Sequence, residues 1–179
     1  MNETKVMHLG QSGEFLWGRE RGRELRSVME ENLQRLPRGA TLVADLSAVA
    51  AMNYSVALEL FVKLLSAWEK VYPERGFCLR QPSKEVAEEV SMALEHHGFL
   101  VLAEPRLGEW ELFGKVSQAD RETLQWAAQR TYFTAPEMAE ALNLNLTTAN
   151  QRLKKLESNA VCIRNPVGSR LYRYCLSGR

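Results

Sequence analysis

The feature that most constrains this chain is an alternation running through its first hundred residues. Four short apolar segments, KVMHL (Lys5–Leu9), TLVADL (Thr41–Leu46), GFCLR (Gly76–Arg80) and FLVLA (Phe99–Ala103), are separated by three longer stretches with helical spacing. In the first of these, Leu25, Val28, Met29, Leu33 and Leu36 share one helical face, and Pro37-Arg38-Gly39 ends the helix predicted from Gly22 to Leu36. In the second, Val56, Leu60, Leu64 and Trp68 stack four residues apart in a helix that follows Asn53 and runs to about Lys70. In the third, Ser83 caps a predicted helix over Lys84–His97 with Val86, Val90 and Leu94 inside, and Gly98 is placed to end it in the left-handed conformation. TLVADL is almost continuously apolar, as expected of a strand covered on both faces. Strands alternating with helices of this length predict an α/β fold, with a mixed or mostly parallel sheet and helices packed on it. Glu14–Trp17 (EFLW) reads as a further short strand pairing with Lys5–Leu9, and FLVLA as the last strand of the sheet.

Beyond Ala103 the rhythm changes. Glu104–Gly114 mixes Pro105, Gly108 and Gly114 with Trp110, Leu112 and Phe113, which predicts a linker packed against a domain. The chain therefore divides into an α/β domain (1–103), a packed linker (104–114) and a small, mainly α domain (115–179). In the last, Ser117-Gln118-Ala119-Asp120 and Thr134-Ala135-Pro136-Glu137 are capping boxes, the second with proline in the first turn. They open helices to about Gln129 and to Leu142. Asn143-Leu144-Asn145 is a three-residue turn in which Asn143 takes the positive-φ position, and Asn145 caps a longer helix over Leu146–Glu157. Two helices joined this way form a helix-turn-helix. Val161–Arg164 and Arg170–Tyr174 then read as a hairpin, or wing, across Asn165-Pro166-Val167-Gly168-Ser169.

Helical geometry predicts which residues of the last helix face outward. With Ala149, Leu153 and Leu156 inside, Thr147, Asn150, Gln151, Lys154 and Lys155 occupy the opposite surface, with Thr148 near its edge. Asn and Gln can make paired hydrogen bonds to an adenine edge, Thr can contact a thymine methyl, and lysines suit phosphates. The hairpin adds Arg164, Arg170 and Arg173, with Ser169 available to a phosphate oxygen. Charge follows the same division. The chain's 23 Lys+Arg and 22 Asp+Glu nearly cancel, yet residues 1–114 carry 13 and 17, and residues 115–179 carry 10 and 5. An acidic part is thus joined to a basic one, and the expectation of DNA binding attaches to the C-terminal part.

Other classes have little sequence support. No apolar run reaches the roughly 20 residues of a membrane helix, and MNETKVMHLG lacks the regions of a signal peptide, so a cytoplasmic location without a membrane is expected. Cys78, Cys162 and Cys175 are widely spaced with no C-x-x-C pair, which predicts buried free thiols. His96 and His97 point about 100° apart on a helix, so they make no chelating pair. No glycine-rich phosphate loop, nucleophile–base pair or metal spacing emerges; neither an enzyme, a metal nor a cofactor is expected. RERGRELR (Arg19–Arg26) reads as a solvated, salt-bridged helix start.

Two resemblances add to this reading. TAPEMAEALNLNLTTANQRLKKLESNAVCIRNPVGSRLYRY resembles the winged helix-turn-helix of bacterial transcriptional regulators over about Val116–Cys175, with Asn143 where many relatives have glycine. That resemblance implies that the Leu146–Glu157 helix enters the major groove and the wing touches the adjacent backbone. Residues 5–103 resemble STAS domains, the fold of anti-sigma factor antagonists, through ADLSAVAAMNYSVALEL (Ala44–Leu60). Antagonists read roughly D-L-S-x-V-x-x-M-D-S-S-G in this loop; here Asn53, Tyr54 and Val56 replace the Asp, the first Ser and the Gly. Ser55 matches their phosphorylated serine, and a phosphate in the first turn of a helix is favoured by the dipole. A plainer reading stands beside it, in which Asn53 caps the helix and Ser55 is an ordinary first-turn residue.

The expectation is a DNA-binding regulator whose winged helix reads double-stranded DNA. Its STAS-like part would mediate dimerisation, protein-partner binding or sensing. A homodimer on two half-sites is expected, with the two-fold contact from the STAS-like part or from the helix around Leu124 and Trp126. The competing class is a protein-interaction adaptor of the anti-sigma antagonist type whose winged helix does not bind DNA.

Overall fold

Parallel strands need helical crossovers, and the spacing of the apolar segments supplies them. The computed structural model describes residues 3–168 and 171–178. In chain order the elements are β1 (Thr4–His8), β2 (Phe15–Leu16), α1 (Arg19–Arg35), β3 (Thr41–Asp45), β4 (Ala51–Met52), α2 (Tyr54–Ala57), α3 (Lys63–Val71), β5 (Gly76–Arg80), α4 (Lys84–His97), β6 (Leu100–Arg106), β7 (Glu109–Gly114), α5 (Gln118–Ala127), α6 (Ala135–Ala141), α7 (Leu146–Ser158), β8 (Cys162–Val167) and β9 (Leu171–Leu176). A π-helical segment, Leu58–Val62, joins α2 to α3. The fold is mixed α/β, with a five-stranded sheet ordered β1-β3-β5-β6-β7. Its first four strands are parallel and β7 is antiparallel to β6.

Local signals set the helix ends. Ser83 accepts the Val86 N–H at 3.2 Å to start α4, and Gly98 ends it at φ 79°, ψ 17°. Asn53 accepts the Val56 N–H at 3.2 Å. The π-helical segment buries Glu59 to 1% exposure, where Lys63 lies 2.8 Å away and Arg26 3.4 Å. The hydrogen bond from Lys63 is the main cause that holds this carboxyl below its usual range. The RERGRELR cluster is therefore only partly a solvated helix start: Arg21 pairs with Glu24 at 2.8 Å, while Arg23 and Arg26 turn toward buried Glu59.

Two expectations are corrected. Glu14–Trp17 does not pair with the first strand. Leu9–Ser12 coils as a 3-10 turn that Gly13 closes at φ 126°, and β2 then pairs in parallel with β4. FLVLA is not the last strand. The expected linker 104–114 is largely strand, with β6 running to Arg106 and β7 returning beside it. Pro105 falls at the irregularity between Ala103 and Arg106, where its missing N–H is tolerated, and the alternation of Glu109-Trp110-Glu111-Leu112 suits an edge strand. Leu124 and Trp126 are buried at 6% and 8% exposure, while Arg121, Glu122 and Gln125 of the same helix are exposed.

Strand alternation explains what the rest of the chain does. Leu42, Ala44, Phe77, Leu79, Val101 and Ala103 point to one face and pack under α1, the α2–α3 helix and α4. Val43, Cys78, Leu100, Leu102 and Leu112 point to the other and share a core with Phe133, Met138, Leu153, Leu156 and Leu176. The C-terminal part thus covers the second face of the sheet. Polar bonds fix it there. Asn159 Oδ1 accepts the Leu100 N–H at 3.0 Å, the Ala160 carbonyl accepts the Phe77 N–H at 3.1 Å, and Thr41 Oγ1 accepts the Gly178 N–H at 3.1 Å. Gly76 permits this approach, because a Cβ there would lie 2.5 Å from Ser177 Oγ and 2.6 Å from Thr41 Oγ1. All three cysteines are free and buried, and burial pushes the Cys78 thiol up to about 12.

Candidate nucleic-acid interface

The C-terminal helices are set by their caps. Ser117 Oγ accepts the Asp120 N–H at 3.2 Å while the Asp120 carboxylate accepts the Ser117 N–H at 2.8 Å. Thr134 and Glu137 repeat the exchange at the start of α6, at 3.4 and 2.7 Å. Between α6 and α7 Asn143 adopts φ 52°, and the Leu144 N–H reaches back to the Ala139 carbonyl at 2.8 Å. Asn145 Oδ1 accepts the Thr148 N–H at 2.8 Å and opens α7. Ala149, Leu153 and Leu156 are fully buried. Strands β8 and β9 pair antiparallel from Cys162–Leu176 to Val167–Leu171, behind the two helices.

Thr147, Asn150, Gln151 and Lys154 are exposed together on α7, with Thr148 half-buried at the edge. Lys155 is on the same helix but is committed elsewhere. Its Nζ lies 2.5 Å from Asp120 Oδ2, a carboxylate whose side chain is 4% exposed, and so ties α7 to α5. Burial pushes the Asp120 carboxyl up, but hydrogen bonds from Lys155 and Ser117 outweigh it and hold the group below its usual range. Arg164 pairs with Glu157 at 3.1 Å and stacks 4.6 Å from the Tyr172 ring centroid. Arg173 lies 4.1 Å over Tyr132 and remains exposed. Ser169 and Arg170, at the tip expected to touch a phosphate, lie outside the described residues.

A cleft of about 520 Å³ runs beside α7 and contains Asn150, Lys154, Arg164 and Tyr172. The N-terminal part lines it with Glu69 of α3 and with Glu74 and Arg75 of the α3–β5 turn. Neither glutamate was expected here. Glu69 follows buried Trp68 on a helix that reads simply as one wall of the α/β core, so no periodicity marks it as facing α7. Ser55 lies apart from this surface, half-buried in the first turn of α2, which packs with α1 and α4 on the opposite face of the sheet. No described group of three or more His, Cys, Asp or Glu residues is placed to hold a metal ion, and no described helix is long and apolar enough to cross a membrane.

No family model matches this chain, and no curated protein matches it.

Proposed function

We propose that the protein is a cytoplasmic DNA-binding transcriptional regulator, in which a C-terminal winged helix-turn-helix reads double-stranded DNA and a STAS-like N-terminal part serves dimerisation, partner binding or sensing. The observation that carries this reading is the composition of one surface. Two capped helices meet at the Asn143 turn, and α7 presents Thr147, Asn150, Gln151 and Lys154 outward together. Amide side chains on an exposed face supply the bidentate donors and acceptors that base edges require, and Lys154 and Arg173 supply phosphate contacts. The two-fold contact of a homodimer on paired half-sites would come from the N-terminal part or from the exposed side of the helix around Leu124 and Trp126.

Titration of a labelled duplex with the full chain tests the reading. Binding should weaken linearly in log–log form as salt rises, and Lys154→Glu should weaken it across all sequences. Absence of binding at low salt overturns it.

A second reading has its own observation. Lys155 and Arg164 are held by Asp120 and Glu157, which removes two of the expected phosphate-facing cations. A surface with fewer free cations suits a protein-interaction adaptor, whose outer face would contact protein and show no salt-dependent affinity for a duplex.

A further inference from the structure

The cleft beside α7 brings charged residues of the N-terminal and C-terminal parts of the chain together. The α7 side carries Lys154 and Glu157 with Arg164 of the hairpin, and the N-terminal side carries Glu69 and Glu74 beside Arg75. Glu74 is fixed in place. Its backbone sits at φ 60°, its carbonyl accepts the Gly39 N–H at 2.7 Å, and its carboxylate pairs with Arg38 at 3.2 Å. A left-handed position is easier for Gly or Asn than for Glu, yet a carboxylate stands there. Among the described residues, neither Glu69 nor Lys154 has an ion-pair partner. The glutamates are felt across the cleft: burial raises the pKa of Glu157 on α7, Arg164 opposes that, and Glu69 and Glu74 raise it further.

We propose that Glu69 and Glu74 form an electrostatic guard on the DNA-reading face, so that the N-terminal part of the chain limits how strongly α7 and the hairpin hold a duplex. The inference rests on the reading of α7 as the DNA-reading helix. A phosphate drawn toward Lys154 along the cleft shares it with the unpaired Glu69 carboxylate and with Glu74, whose charge Arg38 partly offsets. Like charges placed opposite a ligand suppress unwanted partners more than they alter well-matched contacts. The penalty falls on the backbone attraction that every DNA sequence shares and leaves the base contacts of Asn150 and Gln151 untouched. Binding then depends more heavily on those base contacts.

The test compares three full-length proteins by duplex titration at about 50 and about 200 mM salt. They are the wild type, E69Q/E74Q, and a control, E85Q/E95Q, which makes the same charge change on α4, none of whose residues lines the cleft. E69Q/E74Q should tighten the dissociation constant at least about threefold at the lower salt, with a smaller gain at the higher. The control should change it by less than about 1.5-fold, since its sites lie outside the cleft. If loss of the Arg38 pair impairs folding, E69Q alone carries the test and should give a gain in the same direction. Equal affinity of wild type and E69Q/E74Q, or an equal gain from the control, overturns the guard and leaves the DNA reading standing. Failure of all three proteins to bind a duplex overturns both.

Discussion

The two faces of the central sheet are covered in different ways. On one, α1, the α2–α3 helix and α4 lie over the strands that they connect, so each helix packs where its own short loops place it. On the other, cover comes from residues far along the chain, with Asn159 bonded to Leu100 and Gly178 to Thr41, 59 and 137 positions apart. The first arrangement follows from connectivity. The second depends on complementarity, because Val43, Cys78, Leu100, Leu102 and Leu112 would face water without Leu153, Leu156, Phe133 and their neighbours. The DNA-reading helix of the proposed function is therefore also a structural wall of the N-terminal part.

Changes to the second face should break this comparison if it is wrong. The largest expected effect is from Phe133→Ala. Phe133 is 1% exposed, with Trp126 at 5.4 Å and Tyr174 at 6.2 Å between ring centroids. Its loss should cost about 3–5 kcal/mol in urea denaturation. If the faces share one cooperative unit, tryptophan fluorescence and far-ultraviolet circular dichroism should still report a single coincident transition. Two separated transitions would contradict the shared core.

Asp120→Ala should come next, at about 1.5–3 kcal/mol near neutral pH, because it removes charged hydrogen bonds to Lys155 and Ser117. The sign with pH follows from the depressed folded-state pKa of Asp120. Its contribution is present above the unfolded value of about 3.9 and is lost as pH falls through the lower folded value. The gap between wild type and variant, measured by thermal melting, should close in acid. A gap that stays constant would remove the ion pair from the account.

Asn159→Ala leaves the buried Leu100 N–H without its acceptor and should cost about 1–3 kcal/mol by urea denaturation. This variant sharpens the comparison, since it removes the bond that joins α7 to β6, together with the local bond from Asn159 Nδ2 to the Lys155 carbonyl at 2.9 Å. The smallest effect is expected in the α6–α7 turn. Asn143→Gly should be within about 0.5 kcal/mol of wild type, while Asn143→Ala should cost about 1 kcal/mol, because φ 52° penalises a Cβ without the local hydrogen bonding that Asn offers. Equal melting temperatures for the two would mean the turn conformation contributes nothing.

Sequence reasoning reached different depths on the two faces. Strand β5 and helix α4 have the bounds that periodicity, Ser83 and Gly98 predict, and both capping boxes and the Asn143 turn form as their residue types require. These are local features, written in neighbouring residues. Strand β7 was missed because Pro105, Gly108 and Gly114 outweighed the alternation around Trp110 and Leu112. The β2–β4 pair is two residues long on each side and carries no period. The π-helical segment at Leu58–Val62 has no pattern of its own either. The pairing of Lys155 with Asp120 depends on how α5 crosses α7, which no spacing within either helix contains. One signal of the second face was present: TLVADL is apolar on both sides, so something had to cover each.

In the proposed function, α7 reads base edges. Selection of binding sequences from a random duplex pool, using wild type and an Asn150→Ala/Gln151→Ala variant, tests it most directly. Wild type should enrich a defined motif, and the variant should bind with relaxed preference at the positions those amides contact. Enrichment of the same motif by both proteins, or of none by the wild type, would contradict it.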